Sequence, residues 1–270
     1  MKQFSTPFRN RAGRLLCGLL AAAALSLPAR AARTVPVQVD GTSLAASSRL
    51  ESGVTYVPLR SLLDALGGWE LSWDSGRQAA VAVSGSARLT ASPAADTLTV
   101  NGVTRAGKVY VENGRTYVPL RLTAELLGGR AAWDPYLGGA AVTSAGADHD
   151  AVSLYWLSRI VSAESRGESL TGQIAVGNVV LNRVRSADFP GTVPAVVFDR
   201  RDAVQFEPVE NGTVYDAPTA QSVEAAKLAL SGRNVIGDAL YFYAPALSQG
   251  VWINANREYL QTIGCHRFYL

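Results

Sequence analysis

The chain has 270 residues, 48% of them hydrophobic and 17% charged, with a formal charge of +3. Residues 1–31 hold five of the 25 Lys and Arg and none of the 22 Asp and Glu, so the remainder carries 20 − 22 = −2. The overall charge therefore says little about partners, and no basic cluster suggests nucleic acid. Two Cys and two His in the whole chain exclude a disulfide scaffold and offer no zinc-ligand pair at helical or loop spacing.

A basic segment with Lys2, Arg9, Arg11 and Arg14 precedes an apolar run over residues 15–27, and Ala29-Arg30-Ala31 offers a small-x-small cleavage site. This is the pattern of a secretory signal peptide over residues 1–31. The run is shorter than the roughly 20 residues that cross a bilayer core, so the expectation is a secreted, extracytoplasmic protein without a membrane span once the leader is removed. Cys17 opens the apolar run instead of closing it, which speaks against lipidation. Only Cys265 then remains, so the core and not a disulfide must hold the fold.

An internal repeat occupies the next stretch. Thr55-Tyr56-Val57-Pro58-Leu59-Arg60 recurs as Thr116-Tyr117-Val118-Pro119-Leu120-Arg121, an offset of 116 − 55 = 61. Each copy continues into a short helical pattern, then Gly-Gly (67–68 and 128–129) and Trp-Asp (73–74 and 133–134). The paired glycines suit a helix end that needs a left-handed residue. Alternating strand sequence precedes each copy and ends at Asp40-Gly41 or Asn101-Gly102, the signal of a two-residue turn. Residues 34–145 resemble the repeated domain called copper amine oxidase N-terminal-like. The stretch contains no His or Cys, so copper is not expected there. The resemblance implies an accessory module over residues 32–146, either a wall or protein attachment or a spacer without a ligand.

The small, polar residues 144–150 mark a join, and helical periodicity then takes over. The first expected helix covers residues 151–165 with Asp150 as its N-cap, the second 170–186, and the third 218–230 with Pro218 in its first turn. Strand-like segments follow at 239–243 and 266–269. The class is α+β, β-rich in the repeats and mainly helical beyond residue 147.

On the first helix the apolar stripe Leu157, Ile160 and Val161 continues at the same spacing to Glu164. A carboxylate on a core-facing stripe is costly unless it is paired or its pKa is raised, and a raised pKa is what a general acid at neutral pH requires. The bland reading is a Glu at a fraying helix end, since Gly167 lies just beyond. A Cys-His nucleophile pair would need Cys265 with His149 or His266, but neighbours in a strand point to opposite faces, and Cys265 reads as a small core residue. No Gly-x-Ser-x-Gly elbow occurs.

The run Leu154-Tyr155-Trp156-Leu157-Ser158-Arg159-Ile160-Val161-Ser162-Ala163-Glu164-Ser165-Arg166-Gly167-Glu168 is similar to the opening of the SleB-type cell wall hydrolases, the spore cortex-lytic enzyme family. Further blocks agree in order: Gly172-Gln173-Ile174-Ala175-Val176, Val180-Leu181-Asn182-Arg183-Val184, Phe189-Pro190, Val196-Val197-Phe198, Gln205-Phe206, Ala239 to Pro245, Trp252 and Thr262 to Tyr269. The resemblance covers residues 147–270 and implies a lysozyme-like domain of the goose-type and lytic-transglycosylase kind. Such a domain acts on peptidoglycan glycan strands, of vegetative wall or spore cortex, without a cofactor or metal.

Carried over, the catalytic acid is Glu164. It would protonate the oxygen linking N-acetylmuramic acid to N-acetylglucosamine while the muramic 6-hydroxyl attacks its own anomeric carbon, leaving a 1,6-anhydro end. Glu168 is the candidate supporting residue, in catalysis or as a loop anchor. Gln205, Phe206, Tyr243, Trp252 and His266 are the implied substrate-binding residues. Cys265 and Ala244 depart from the family's pattern. Two alternatives stand beside this reading: hydrolysis by water, as in a muramidase or glucosaminidase, and a wall-binding protein without activity.

Overall fold

The computed structural model describes residues 32–201 and 203–270; the expected signal peptide lies outside them. The two Thr-Tyr-Val-Pro segments form the strands Val54–Pro58 and Arg115–Pro119, which pair antiparallel with each other, Val57 opposite Val118. The repeats therefore share one sheet, in the order Arg33–Val35, Ser48–Glu51, Val54–Pro58, Arg115–Pro119, Tyr110–Glu112. Each proline ends its strand, because it has no N–H for the ladder, and its fixed φ suits entry into a helix. The helices are α1 (Leu59–Leu66) and α2 (Leu120–Leu126), which bury Leu59, Leu62 and Leu63 and Leu120, Thr123 and Ala124. They stop where Gly67 and Gly128 take φ of +74° and +81°.

A meander of Glu70–Asp74, Ala79–Ser84, Ala87–Ser92, Thr97–Val100 and Val103–Ala106 joins the copies. The last strand of the second copy, Gly139–Thr143, then runs parallel to Val37–Val39, which closes the module on itself. At both Asp40-Gly41 and Asn101-Gly102 the two residues have positive φ, the geometry that favours such pairs in tight turns.

Beyond the join, helices α3 (Ala151–Ser165) and α4 (Leu170–Arg185) pack with α7 (Ala220–Leu230); between α4 and α7 lie the one-turn helices α5 (Val193–Val197) and α6 (Glu207–Asn211). Fully buried Ala225, Ala226 and Ala229 let α7 approach, and a Cβ on Gly177 would already touch Val161 and Ala229 at 3.4 Å. Helix α8 (Val251–Asn256) and a sheet in the order Tyr241–Tyr243, His266–Tyr269, Tyr259–Ile263 complete the chain. The third long helix starts two residues later than the sequence implied. Thr219 caps it by accepting from Ser222 N, leaving Pro218 outside the helix. Helices α5, α6 and α8 lie in segments read as loops, being five or six residues long and too short to show a 3.6-residue period.

The join is pinned. Ser144 N and Oγ donate to the Asp40 carboxylate at 2.8 and 2.6 Å, and Asp150 caps α3 while pairing with Arg130 at 2.9 Å. The Trp-Asp of the repeat supplies a buried tie. In the first copy Asp74 accepts from Gly76 N and Arg77 N and pairs with the Arg77 guanidinium. In the second, Asp134 accepts from Tyr136 N and Leu137 N in the same way, but Leu137 replaces the arginine. The remaining carboxylate oxygen takes the indole N–H of Trp156 on α3 at 2.7 Å. Trp156 is fully buried and Asp134 nearly so; a buried indole needs such an acceptor. Asp134→Ala should therefore cost at least about 2 kcal/mol by leaving buried donors unpaired, and Asp74→Ala about 1 kcal/mol or less. Urea unfolding of the two variants checks this, and equal losses would show that the joint contributes no special stability.

Candidate active site

Glu164 is the penultimate residue of α3 and half-buried. Ser165 Oγ donates to Val161 O, Arg166 N to Ser162 O and Glu168 N to Ser165 O, so the helix ends in a fixed turn and does not fray. Fully buried Gln173 on α4 donates to Glu168 O and accepts from Ser222 Oγ of α7, which ties that turn to the other two long helices. The Glu164 carboxyl accepts no hydrogen bond from the described residues, and burial raises its pKa from 4.5 to about 7. The Glu207 carboxylate pushes it further up and the Arg183 guanidinium opposes the rise. Lying at the carbonyl end of a helix also disfavours an anion.

Arg183 is the second element of the site. Buried on α4, it donates from Nε to Leu240 O at 2.8 Å and from Nη1 to Gln205 Oε1 at 3.3 Å. The rings of Phe189, Phe206 and Tyr241 lie 4.8, 5.3 and 5.5 Å from its guanidinium carbon. Burial draws its pKa down to about 10, against the favourable fields of Tyr241, Asp199 and Glu164, so it remains a cation at neutral pH. Gln205 thus reaches the acid's surroundings through Arg183, and its amide also donates to Ala203 O at 3.1 Å.

Of the other residues singled out by sequence, Glu168 and His266 come together. Both Glu168 carboxylate oxygens accept from Cys265 N, at 3.2 and 3.3 Å, and His266 Nδ1 lies 3.8 Å from Oε1. Glu168 thereby clamps the turn at Gly264, where φ is +58° and a Cβ would sit 1.8 Å from its carboxylate; only glycine fits. His266 packs edge-on against Phe242, and burial holds its pKa below the usual value, with Glu168 acting the other way.

Tyr243 and Trp252 belong to a third group. Tyr243 exchanges hydrogen bonds with Asn254 of α8, while Trp252 is 57% exposed with the Arg257 guanidinium 5.1 Å over its ring. Two expectations need correction. Phe206, at 2% exposure, is part of the helical core and packs on Phe242, so its ring presents no open face to a sugar. Cys265 is exposed and not in the core, because it lies in the tight turn that Glu168 clamps.

Sequence reasoning gave no role to Arg183, Asn182, Asn178 or Glu207. The first three lie on helix α4. Asn178 donates to Arg233 O and accepts from Val235 N, and Asn182 donates to Gly237 O and Ala239 O. The i, i+4 spacing of the two asparagines among the apolar residues Val176, Val179, Val180 and Leu181 was the available signal, since buried amides require partners.

A family model described as cell wall hydrolase matches residues 167–269, beginning three residues after Glu164, and one described as copper amine oxidase N-terminal domain matches residues 38–138. The chain therefore carries a cell wall hydrolase domain behind a copper amine oxidase N-terminal domain. The latter's residues do not fit copper, for want of any imidazole or thiol between 34 and 145. A spore cortex-lytic enzyme of Bacillus cereus is 39% identical over 112 residues, 42% of each chain. That of Bacillus subtilis is 35% identical over 112 residues, 42% of this chain and 35% of its own. The chain thus spans less than half the length of these curated relatives. The solved catalytic domain of the germination-specific lytic transglycosylase SleB from Bacillus anthracis is 36% identical and covers 46% of this chain and 98% of its own, with a TM-score of 0.42.

The two charges that bias Glu164 act in opposite directions. Glu207→Gln, an exposed change, should lower the pH above which activity is lost, and Arg183→Met should raise it. Profiles of kcat/KM against pH check this; shifts of the same sign in both variants would contradict the electrostatic account.

Proposed function

We propose that the chain cleaves peptidoglycan glycan strands between N-acetylmuramic acid and N-acetylglucosamine, with Glu164 as acid and then base. The observation that carries this reading is a half-buried carboxyl to which none of the described residues donates a hydrogen bond and whose pKa is raised to about 7, so that it holds a proton near neutral pH and has an oxygen free for a substrate. The spore cortex-lytic enzymes and the lytic transglycosylase to which the chain is similar support that substrate class and an extracytoplasmic, wall or cortex site of action.

In the proposed reaction the Glu164 proton passes to the bridging oxygen as the bond from the muramic anomeric carbon to that oxygen breaks. The muramic 6-hydroxyl oxygen then bonds to the same carbon and its proton returns to the Glu164 carboxylate. No water is consumed and the product ends in a 1,6-anhydro ring. This route needs no second carboxylate nucleophile, unlike the usual pair in glycosidases. Arg183 limits the pKa of the acid so that its conjugate base can form, and Gln205, Tyr243 and the exposed Trp252 supply polar and stacking contacts along the strand, while His266, buried against Phe242 beside Glu168, acts from behind that surface. Glu168 acts as a positioning residue that fixes the turn before His266.

Digestion of purified peptidoglycan with residues 32–270 should release anhydro-muropeptides that resist borohydride, and none in Glu164→Gln. Mass spectrometry reads both. Borohydride-reducible ends would instead mean hydrolysis by water, and equal release by the variant would remove Glu164 from the mechanism.

A further inference from the structure

The N-terminal domain contains two open grooves related by its internal repeat, one of about 350 Å³ and one of about 730 Å³. The first is lined by Arg60, Trp73 and Ala80, and the second by their counterparts Arg121, Trp133 and Ala140. Each is completed by the hairpin turn of the other copy: Gly114 faces the first groove and Gly53 the second. The antiparallel pairing of Val57 with Val118 causes this exchange, because it carries each turn across the shared sheet to the other copy's helix.

The two tryptophans are 44% and 41% exposed. A single half-exposed indole on a surface is ordinary, but two at equivalent positions of a repeat, each in a groove with a small alanine and a guanidinium, make a recurring arrangement. Each indole lies opposite its groove alanine across the strand pair, Trp73 with Ala80 and Trp133 with Ala140, while the turn hydrogen bonds go to the adjacent aspartates. The first groove has Arg60, held by its bond to Leu71 O at 3.3 Å, and Arg115. The second has Arg33, 5.7 Å over the Trp133 ring, Arg121 beside Glu125, and Lys108, which pairs with Glu51 at 3.6 Å, three cations against two acids. Both grooves are therefore net cationic on a chain that is net acidic beyond residue 31.

An indole face stacks on the apolar face of a pyranose ring, and an adjacent guanidinium binds a carboxylate through paired N–H groups. We infer that the two grooves are glycan-binding subsites for a polymer of pyranose rings bearing carboxylates, and that the occupant is the peptidoglycan strand with its lactyl and peptide carboxylates. The choice of that polymer rests on the cell wall reading above. Two equivalent sites on one body raise retention on an insoluble strand through effective concentration without strengthening either site, so the hydrolase domain stays on the wall between cleavages.

The test is co-sedimentation of residues 32–270 with peptidoglycan stripped of teichoic acid, in a Glu164→Gln background so that the wall is not consumed. Trp73→Ala with Trp133→Ala should weaken retention by at least about tenfold, with each single change intermediate. The double Trp→Phe variant should restore most of it, which separates loss of stacking from loss of fold. In the cleaving background the double alanine variant should turn over short soluble glycan fragments as the parent does. Retention unchanged in the double alanine variant overturns the inference, as does retention of the parent on intact wall but not on stripped peptidoglycan. Tryptophan-dependent retention in a chain that cleaves nothing supports it while refuting the catalytic reading.

Discussion

The site depends on one unfavourable arrangement, a carboxyl at the carbonyl end of a helix, half-buried and without a donor among the described residues. Left alone it would escape by fraying the helix end into water. The protein prevents this by tying the turn beyond α3 to α4 and α7 through Gln173 and Ser222, so the cost appears as a raised pKa. The sign follows from linkage. Because the folded value, about 7, lies above the ordinary 4.5, ionisation costs stability that is lost progressively as pH rises between those values. Below that window the protonated side chain carries no such penalty.

Arg183 keeps the arrangement usable. A carboxyl raised without limit would donate no proton, and a guanidinium bonded directly to it would leave it ionised. Arg183 instead directs its N–H groups to Leu240 O and Gln205 and acts on Glu164 through the field alone. Helix α3 also carries Trp156, eight residues and so about 12 Å before the acid, whose indole is held by Asp134 of the second repeat. The helix that presents the acid is thus anchored at one end to the N-terminal domain and at the other to its own bundle.

Much of this was legible in the sequence. The repeat, its turns, the N-cap of α3 and the place of Glu164 on an apolar stripe all follow from local chemistry with a period. What escaped had no period or depended on partners distant in sequence. The one-turn helices are too short to show one. Phe206 and Trp252 are both large aromatics, and only the fold distinguishes the buried ring from the exposed one. Cys265 reads from the sequence as a small core residue, whereas Glu168, 97 residues away, fixes the turn that exposes it. The docking role of Asp134 rests on the absence of an arginine three residues on, a difference that has meaning only once Trp156 is seen beside it.

The central claim concerns the proton on Glu164, and the most direct measurement is the titration of its side-chain carboxyl carbon by NMR in carboxyl-labelled protein, assigned by loss of the signal in Glu164→Gln. The account requires a midpoint near 7, well separated from the bulk of the glutamates. A midpoint near 4.5 would mean that the carboxyl is solvated and ionised at neutral pH, and Glu164 could not then be the general acid.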